Sequence, residues 1–270
     1  MLLSIEGEEA VGKTTLAYTV PPPVVGFAFD MGVERALYGA KNEWFEGLEV
    51  KIVPYKSENQ SLDGDITIYE LPQPVQLDTN QIHGASELWA YFIERLVAAI
   101  QNPDIRSIVV DTMTIARRVK ADAYLQELQE ATPSGQQKRK QLIQIEWGNT
   151  NDSIRSIYTA IAGSRKNMVA VHHLTDERKE SMDSKGQVIQ VLTGNRLLEG
   201  LGQTYRFVDV AVRNQKNEGN IATIFKKCGY NLSLEVGNLQ LENTTWEKMV
   251  QFIEDSLGGK LTLEEAHRVV

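Results

Sequence analysis

Short apolar runs alternate with helical patterns along the first two thirds of the chain. Apolar, β-branched runs predict strands at 1–6, 24–30, 48–55, 66–71, 107–114 and 167–174. Apolar positions at helical spacing predict helices just after residue 14, over 86–101, from 115 to about 129 and over about 152–164. This mixture of strands and helices indicates an α/β fold.

The last third of the chain is richer in strand patterns. Strands are predicted at 187–193, 206–214 and 220–231. The polar sequence QKNEG separates the last two strands and indicates a C-terminal β-hairpin. A helix opened by a threonine cap is expected over 244–258, followed by a short tail at 261–270.

Two polar segments are predicted to be flexible loops. Residues 131–141 contain Pro133, Gly135 and three successive basic residues, and residues 175–187 are almost entirely polar. The sequence contains no internal repeat, low-complexity tract or obvious linker. We therefore expect a single domain over 1–270.

The most specific motif is GEEAVGKT at 7–14, which matches the phosphate-loop pattern G-x-x-x-x-G-K-[ST] between a strand and a helix. Glycines at both ends of the loop let backbone N–H groups converge on phosphates. Lys13 can then reach the β and γ oxygens, and the Thr14 hydroxyl can ligate Mg²⁺. The predicted nucleotide-binding residues are Gly7, Glu8, Glu9, Ala10, Val11, Gly12, Lys13, Thr14 and Thr15.

A second acidic element of this site is predicted in the run SIVVDTMT. Asp111 ends its apolar, β-branched part, as the carboxylate of a phosphate-binding site does at the end of a buried strand. We expect Asp111 to hold Mg²⁺ together with Thr14, directly or through water. A turn that merely ends a strand is the alternative interpretation of this aspartate.

Composition narrows the class of protein. The 270 residues are 42% apolar, which is enough to fill a sizeable core, and the net charge of −8 argues against a surface that coats nucleic acid. The single Cys228 excludes an internal disulfide and a cysteine-rich metal site. No apolar run approaches the roughly 18 residues of a membrane span. Because the motif begins so near Met1, we also expect no leader sequence and a cytosolic protein.

The order of these motifs resembles RecA-like ATPase cores. More closely, GEEAVGKTTLA, FAFDMGVERAL, SIVVDTMT, EWGNTNDSIRSIYTAI and MVAVHHL look like the phage-type RecA-like ATPases that include single-strand annealing proteins. The resemblance implies a mainly parallel central sheet flanked by helices, ATP and Mg²⁺ as cofactors, and ATP hydrolysis. It also implies the host cytoplasm as the location if the protein is phage-encoded.

The same resemblance implies roles for residues after two of the strands. A glutamate just after the second strand polarises the attacking water in such cores, and here Asp30 stands at that point, with Glu34 one helical turn further on. A polar residue at the end of a later strand senses the γ-phosphate, and His172 and His173 occupy that place. Only one of two adjacent strand residues can face the nucleotide, and a structural histidine is the alternative for either.

Further residues are implied to act on a neighbour or on DNA. Lys226 and Lys227 match a segment that supplies cations in trans to an adjacent subunit, which implies a homo-oligomer; an exposed strand edge protected by charge is the alternative. The basic residues that could bind single-stranded DNA are Lys138, Arg139 and Lys140. Residues 132–141 and 175–187 occupy the stretches of the two DNA-binding loops.

Trp147 or Tyr205 could stack on a DNA base, or pack in the core. A single-strand-binding protein is a further expected partner. The leading hypothesis is therefore an ATPase that acts on single-stranded DNA in recombination or annealing. A nucleotide-dependent interaction switch with little hydrolysis and a P-loop kinase of a small acceptor are the alternatives.

Overall fold

The computed structural model describes residues 1–39, 42–58, 61–77, 81–182, 187–217, 220–234 and 236–259. The strands are β1 (Leu2–Gly7), β2 (Val24–Ala28), β3 (Val50–Val53), β4 (Ile66–Glu70), β5 (Ser107–Asp111), β6 (Asn167–His172), β7 (Leu174–Met182), β8 (Val188–Leu198), β9 (Val210–Asn217), β10 (Asn220–Cys228) and β11 (Gln240–Glu242). The helices are α1 (Lys13–Ala17), α2 (Val33–Tyr38), α3 (Ala85–Gln101), α4 (Met113–Glu130), α5 (Trp147–Gly163) and α6 (Trp246–Leu257).

Nine strands form one sheet in the order β11-β10-β9-β1-β6-β5-β2-β4-β3. The seven strands from β9 to β3 are parallel, and β10 and β11 extend the sheet antiparallel to them. The predicted α/β class, with a mainly parallel sheet and a C-terminal hairpin, is confirmed. Since β6 separates β1 from β5, three strand ends meet at the centre of the carboxyl edge.

The sheet is covered on both faces, and alternation along the strands assigns each side chain to one face. Leu2 of β1 belongs to the apolar cluster that contains residues of α3, α4 and α5, whereas Leu3 and Ile5 belong to the cluster that contains residues of α1, α2 and α6. Each fully buried aliphatic side chain contributes roughly 1.5–3 kcal/mol to stability. The two apolar layers therefore hold the strand ends rigidly in place.

Local signals explain where two predicted helices begin. The Thr112 side chain accepts a hydrogen bond from the Ile115 backbone and so caps α4, which begins at Met113, two residues before the predicted start. In α6, Thr245 accepts from the Lys248 backbone, which confirms the threonine cap. Helix α5 begins at Trp147, earlier than predicted.

The prediction of a flexible loop over 175–187 is wrong. Strands β7 and β8 pair antiparallel into a separate two-stranded sheet, which we call the arm. Its polar composition reflects exposure on both faces of a hairpin, which removes the apolar alternation that marks a half-buried strand. Residues 183–186 of that segment, like the tail at 261–270, lie outside the described residues.

No helix in the part of the chain that the structure describes has both the length and the apolar character needed to cross a membrane.

Candidate nucleotide-binding site

The phosphate loop connects the end of β1 to the start of α1. Gly7 is so close to β9 that a Cβ atom there would lie 2.6 Å from the carbonyl oxygen of Asn214. Gly12 has a φ of 70°, in the left-handed region that favours glycine. The Asn214 side chain donates to the carbonyl of Val11 at 3.1 Å and ties the loop to β9. The local geometry therefore explains why both positions of the motif are glycine.

The middle of the loop faces outward. Glu8, Glu9 and Ala10 are exposed, and Ala10 has a φ of 56°. Thr14 is half-buried, and the hydroxyl of Thr15 donates to the carbonyl of Ala36 in α2 at 3.3 Å. The exposed side of the loop is open to a ligand.

Lys13 is held by the loop itself. Its Nζ atom donates to the carbonyl oxygen of Gly7 at 3.0 Å and to that of Glu8. Lys13 is only 8% exposed. Burial lowers the pKa of Lys13, while the negative charges of Asp111 and Asp30 raise it. Phosphate oxygens would give this ammonium charged acceptors in place of neutral carbonyls.

Asp111 ends β5 and is 1% exposed. Neither of its carboxylate oxygens makes a hydrogen bond of standard geometry to another described residue. Burial raises the pKa of Asp111 to about 7, against the opposing effects of the nearby Thr14 hydroxyl and Lys13 charge. Buried carboxylate oxygens beside a threonine hydroxyl suit a hard divalent cation, so Asp111 and Thr14 fit Mg²⁺.

Asp30 lies close to these groups. It follows β2, is exposed, and its backbone N–H donates to the carbonyl of Asp111 at 3.3 Å. Its charge raises the pKa of Lys13 and of Asp111. Glu34 is exposed in the first turn of α2. Of the two carboxylates predicted for water activation, Asp30 is therefore the one whose field reaches the phosphate-loop lysine.

The two histidines face opposite sides of the sheet. His172 points toward α5, where its Nε2 atom lies 3.3 Å from the Tyr158 hydroxyl, and burial lowers its pKa to about 3. His173 follows on the other side, where burial and the charge of Lys13 lower its pKa while Asp30 raises it. The structure thus brings His173, and not His172, toward the phosphate loop.

Comparison with known families agrees with this geometry. Residues 2–202 match the family described as an AAA domain, a match that includes the phosphate loop, Asp111 and both histidines. The chain belongs to the AAA domain family. Membership supports nucleotide binding and ATPase function for this AAA domain.

Two solved structures that are similar to this AAA domain share little sequence with it. The crystal structure of the RadB recombinase is 14% identical, with 89% of this chain and 85% of that chain covered and a TM-score of 0.45. A KaiC-like protein from Pyrococcus horikoshii OT3 is 11% identical, with 89% and 83% covered and a TM-score of 0.41. No curated protein matches this chain.

The sequence reasoning missed a buried ionic group beneath the loop of this AAA domain. Glu6 is fully buried; Arg213 binds one of its carboxylate oxygens through Nε at 2.6 Å, and the Tyr205 hydroxyl donates to the other at 2.6 Å. Glu6 lies opposite both His172 and Arg213 across the strands. A charged residue inside an apolar strand, directly before Gly7, was the available signal.

The predicted cations of the hairpin differ in availability. Lys226 lines a cavity of about 440 Å³ with Arg196 and Arg213 at the base of the arm. Lys227 instead donates to the carbonyls of Tyr205 and Val208 at 2.7 and 2.6 Å, within its own chain. In this conformation Lys227 is not extended toward a neighbour.

The predicted DNA-binding residues lie on and beside the connection from α4 to α5. Arg139 forms an ion pair with Glu146, whereas Lys140 is exposed and Lys138 half-buried. The guanidinium of Arg117 lies 4.5 Å from the ring centroid of Trp147. Trp147 is therefore half-buried against a cation, while the Tyr205 hydroxyl is occupied by Glu6 as described above.

Proposed function

We propose that the protein binds ATP with Mg²⁺ at the phosphate loop and hydrolyses it, in a cycle stimulated by single-stranded DNA during recombination or annealing. The observation that carries the nucleotide site is the convergence of Lys13, Thr14 and the buried carboxylate of Asp111 at the carboxyl edge of the sheet. A buried carboxylate is costly unless its oxygens are satisfied, and the Thr14 hydroxyl and the Lys13 charge only partly offset the burial of Asp111.

Each residue near the loop has a proposed role. Lys13 would exchange the carbonyls of Gly7 and Glu8 for phosphate oxygens, and Thr14 and Asp111 would hold the metal. The bound Mg²⁺ would neutralise developing negative charge on the phosphates. Asp30 would orient water, since it is exposed beside the loop and carries a carboxylate.

His173 is the proposed sensor of the terminal phosphate. It has a neighbouring cation in Lys13 and a neighbouring carboxylate in Asp30, both of which act on its pKa. The backbone of His173 is held on both sides: its N–H donates to the Thr114 hydroxyl at 3.0 Å, and its carbonyl accepts from the Glu199 N–H. His173 therefore cannot shift without moving these neighbours. A change at His173 would therefore be transmitted to the chain that follows β8.

The action on DNA rests on the family resemblance and on exposed basic groups. Lys138, Arg139 and Lys140 are proposed to bind single-strand phosphates; Arg139 would exchange Glu146 for them. Lys226 is the proposed cation supplied to a neighbouring subunit of a homo-oligomer. A single-strand-binding protein remains a proposed partner, and the one-domain organisation remains a prediction.

A nucleotide-dependent switch with little hydrolysis is a second candidate. The observation that favours it is Asp30, because an aspartate is one methylene shorter than the glutamate that such cores use to orient water. Tight nucleotide binding without turnover would favour this alternative.

The test is steady-state ATP hydrolysis by the purified protein with Mg²⁺, with and without single-stranded DNA. Lys13→Ala is expected to lower turnover on the order of 10²-fold or more, since the phosphates lose their nearest cation. Equal turnover by Lys13→Ala and wild type would show that the site is wrongly assigned. Turnover indifferent to DNA would contradict the DNA-dependent part alone.

Lys166→Ala is the matched control. Lys166 is also a buried lysine bound to two backbone carbonyls, those of Asn102 at 2.6 Å and Ile105 at 2.5 Å, but it precedes β6 at the opposite edge of the sheet. Its replacement is expected to lower stability and to leave the turnover of the folded protein unchanged.

A further inference from the structure

The base of the arm is tied to the phosphate loop by one guanidinium group. Arg196, near the end of β8, lies with Nη2 3.2 Å from the carboxylate of Glu8 and with Nε 3.2 Å from that of Asp176. Its Nη2 also donates to the carbonyl of Leu174 at 3.3 Å. Arg196 therefore joins the loop to both strands of the arm.

Glu8 is bound by two cations from different sides. Lys13 donates to its backbone carbonyl, and Arg196 pairs with its carboxylate. Both cations therefore contact the same residue of the phosphate loop. A triphosphate would bring more negative charge to this point than the single carboxylate of Glu8, and a guanidinium binds phosphate oxygens in a bidentate fork.

Arg196 has an anchored backbone and a side chain that can move. Its carbonyl accepts a hydrogen bond from Arg213 at 3.1 Å, and Arg213 is itself held by the buried Glu6. The Arg196 side chain is 41% exposed and its two acidic partners are also largely exposed, so these ion pairs are weak. The cavity of about 440 Å³ beside it gives the side chain room.

We propose that Arg196 is a second cation of the nucleotide site, supplied in cis by the arm, which leaves Glu8 to bind the terminal phosphate of a bound triphosphate. This inference rests on the proposed nucleotide binding at the loop. A diphosphate lacks that terminal group and leaves Arg196 on Glu8. The base of the arm therefore has different contacts in the two nucleotide states.

The test compares the affinities of a non-hydrolysable ATP analogue and of ADP, each with Mg²⁺, by titration calorimetry. Arg196→Gln is expected to weaken the analogue about tenfold or more and ADP less than about twofold, because only the terminal phosphate loses a charged hydrogen bond. Glu8→Gln is expected to strengthen binding of the analogue, since Arg196 loses its competing partner.

Arg178→Gln is the matched control, because Arg178 is an exposed arginine of the same arm that lies opposite Leu192 in the hairpin. It is expected to bind both nucleotides as the wild type does. Arg196→Lys tests the bidentate geometry, because lysine keeps the charge but cannot donate in a fork. Its affinity for the analogue should lie between those of Arg196→Gln and the wild type.

The outcomes separate the two proposals. A wild-type preference for the analogue over ADP that survives in Arg196→Gln would overturn the role of Arg196 while the nucleotide site stands. Failure of the wild-type protein to bind either nucleotide would overturn both.

Discussion

The phosphate-loop edge of the sheet and the arm are joined through Glu8 and Arg196, yet they are stabilised in different ways. Asp111 and His172, at the ends of parallel strands, are 1 and 0% exposed, and Lys13 at the start of α1 is 8% exposed. On the arm, Met182, Val188 and Leu192 are 75, 63 and 57% exposed.

The difference concerns the energy needed to move each part. A buried edge moves only if the core around it moves, whereas an isolated two-stranded hairpin is marginally stable by itself in water. Segments with few buried apolar contacts open at lower free energy than the core. We therefore expect the site to keep its geometry during a nucleotide cycle and the arm to respond to it.

The largest expected effect is the loss of stability caused by a substitution in the buried core. Leu88→Ala removes a side chain of α3 that is 0% exposed under the sheet, and leaves a cavity that the packed layer cannot fill. The free energy of unfolding should fall by about 2–5 kcal/mol. Chemical denaturation measures it; a loss below about 1 kcal/mol would mean that this layer is loosely packed.

The next largest effect is a pH dependence of stability that arises from the buried Asp111. The fold raises the pKa of Asp111 from 3.8 to about 7, so the native state binds a proton more tightly than the unfolded state. Without nucleotide or metal, this carboxyl therefore makes the free energy of unfolding decrease as pH rises from 3.8 to about 7. Asp111→Asn should remove that decrease, which corresponds to about 1.4 kcal/mol per pKa unit.

Denaturation of both proteins at pH 5 and pH 8 checks the sign, since the variant should gain relative to wild type at the higher pH. The same variant should lose the effect of Mg²⁺ on nucleotide affinity, because the amide carries no charge. If the wild type gained as much stability as Asp111→Asn, or more, between pH 5 and pH 8, the raised pKa of the buried Asp111 would be contradicted.

The sequence predicted the buried edge better than the arm, for physical reasons. Lys13 and Asp111 belong to local patterns, a glycine-bounded loop and an apolar strand with an acidic end, so they could be located without the fold. The choice between His172 and His173 needed the register of β6, which sequence alone leaves open. On the arm, a strand was predicted over 187–193, which overlaps β8, but β7 was expected to be a loop because its exposed residues lack the periodicity that predicts strands.

A smaller effect separates the two histidines. His172→Ala removes a fully buried ring in contact with Tyr158 and should cost roughly 1–3 kcal/mol of stability, with nucleotide affinity of the folded protein unchanged. His173→Ala should change stability less and weaken triphosphate binding a few-fold. Thermal unfolding and nucleotide titration of both variants check this; the reverse pattern would mean that the faces are wrongly assigned.

The burial of His172 also predicts a pH dependence of stability, of opposite sign to that expected from Asp111. Its pKa falls from 6.5 to about 3 in the fold, so the neutral ring is favoured and stability is lost as pH falls below 6.5. His172→Ala should therefore show a weaker acid destabilisation than wild type between pH 6 and pH 4. An unchanged acid profile would mean that the ring is accessible to protons.

The smallest effect is on the arm. Leu192→Ala is the same chemical change as Leu88→Ala, but the leucine is 57% exposed and leaves no cavity, so stability should change by less than about 0.5 kcal/mol. Chemical denaturation of Leu88→Ala and Leu192→Ala compares the same substitution at a buried and at an exposed position. A loss at Leu192 comparable to that at Leu88 would mean that the arm is covered in solution, by a second copy of the chain or another surface. If a second copy covers the arm, dilution should lower the stability of the wild type but not that of Leu192→Ala, because only an intermolecular contact depends on concentration.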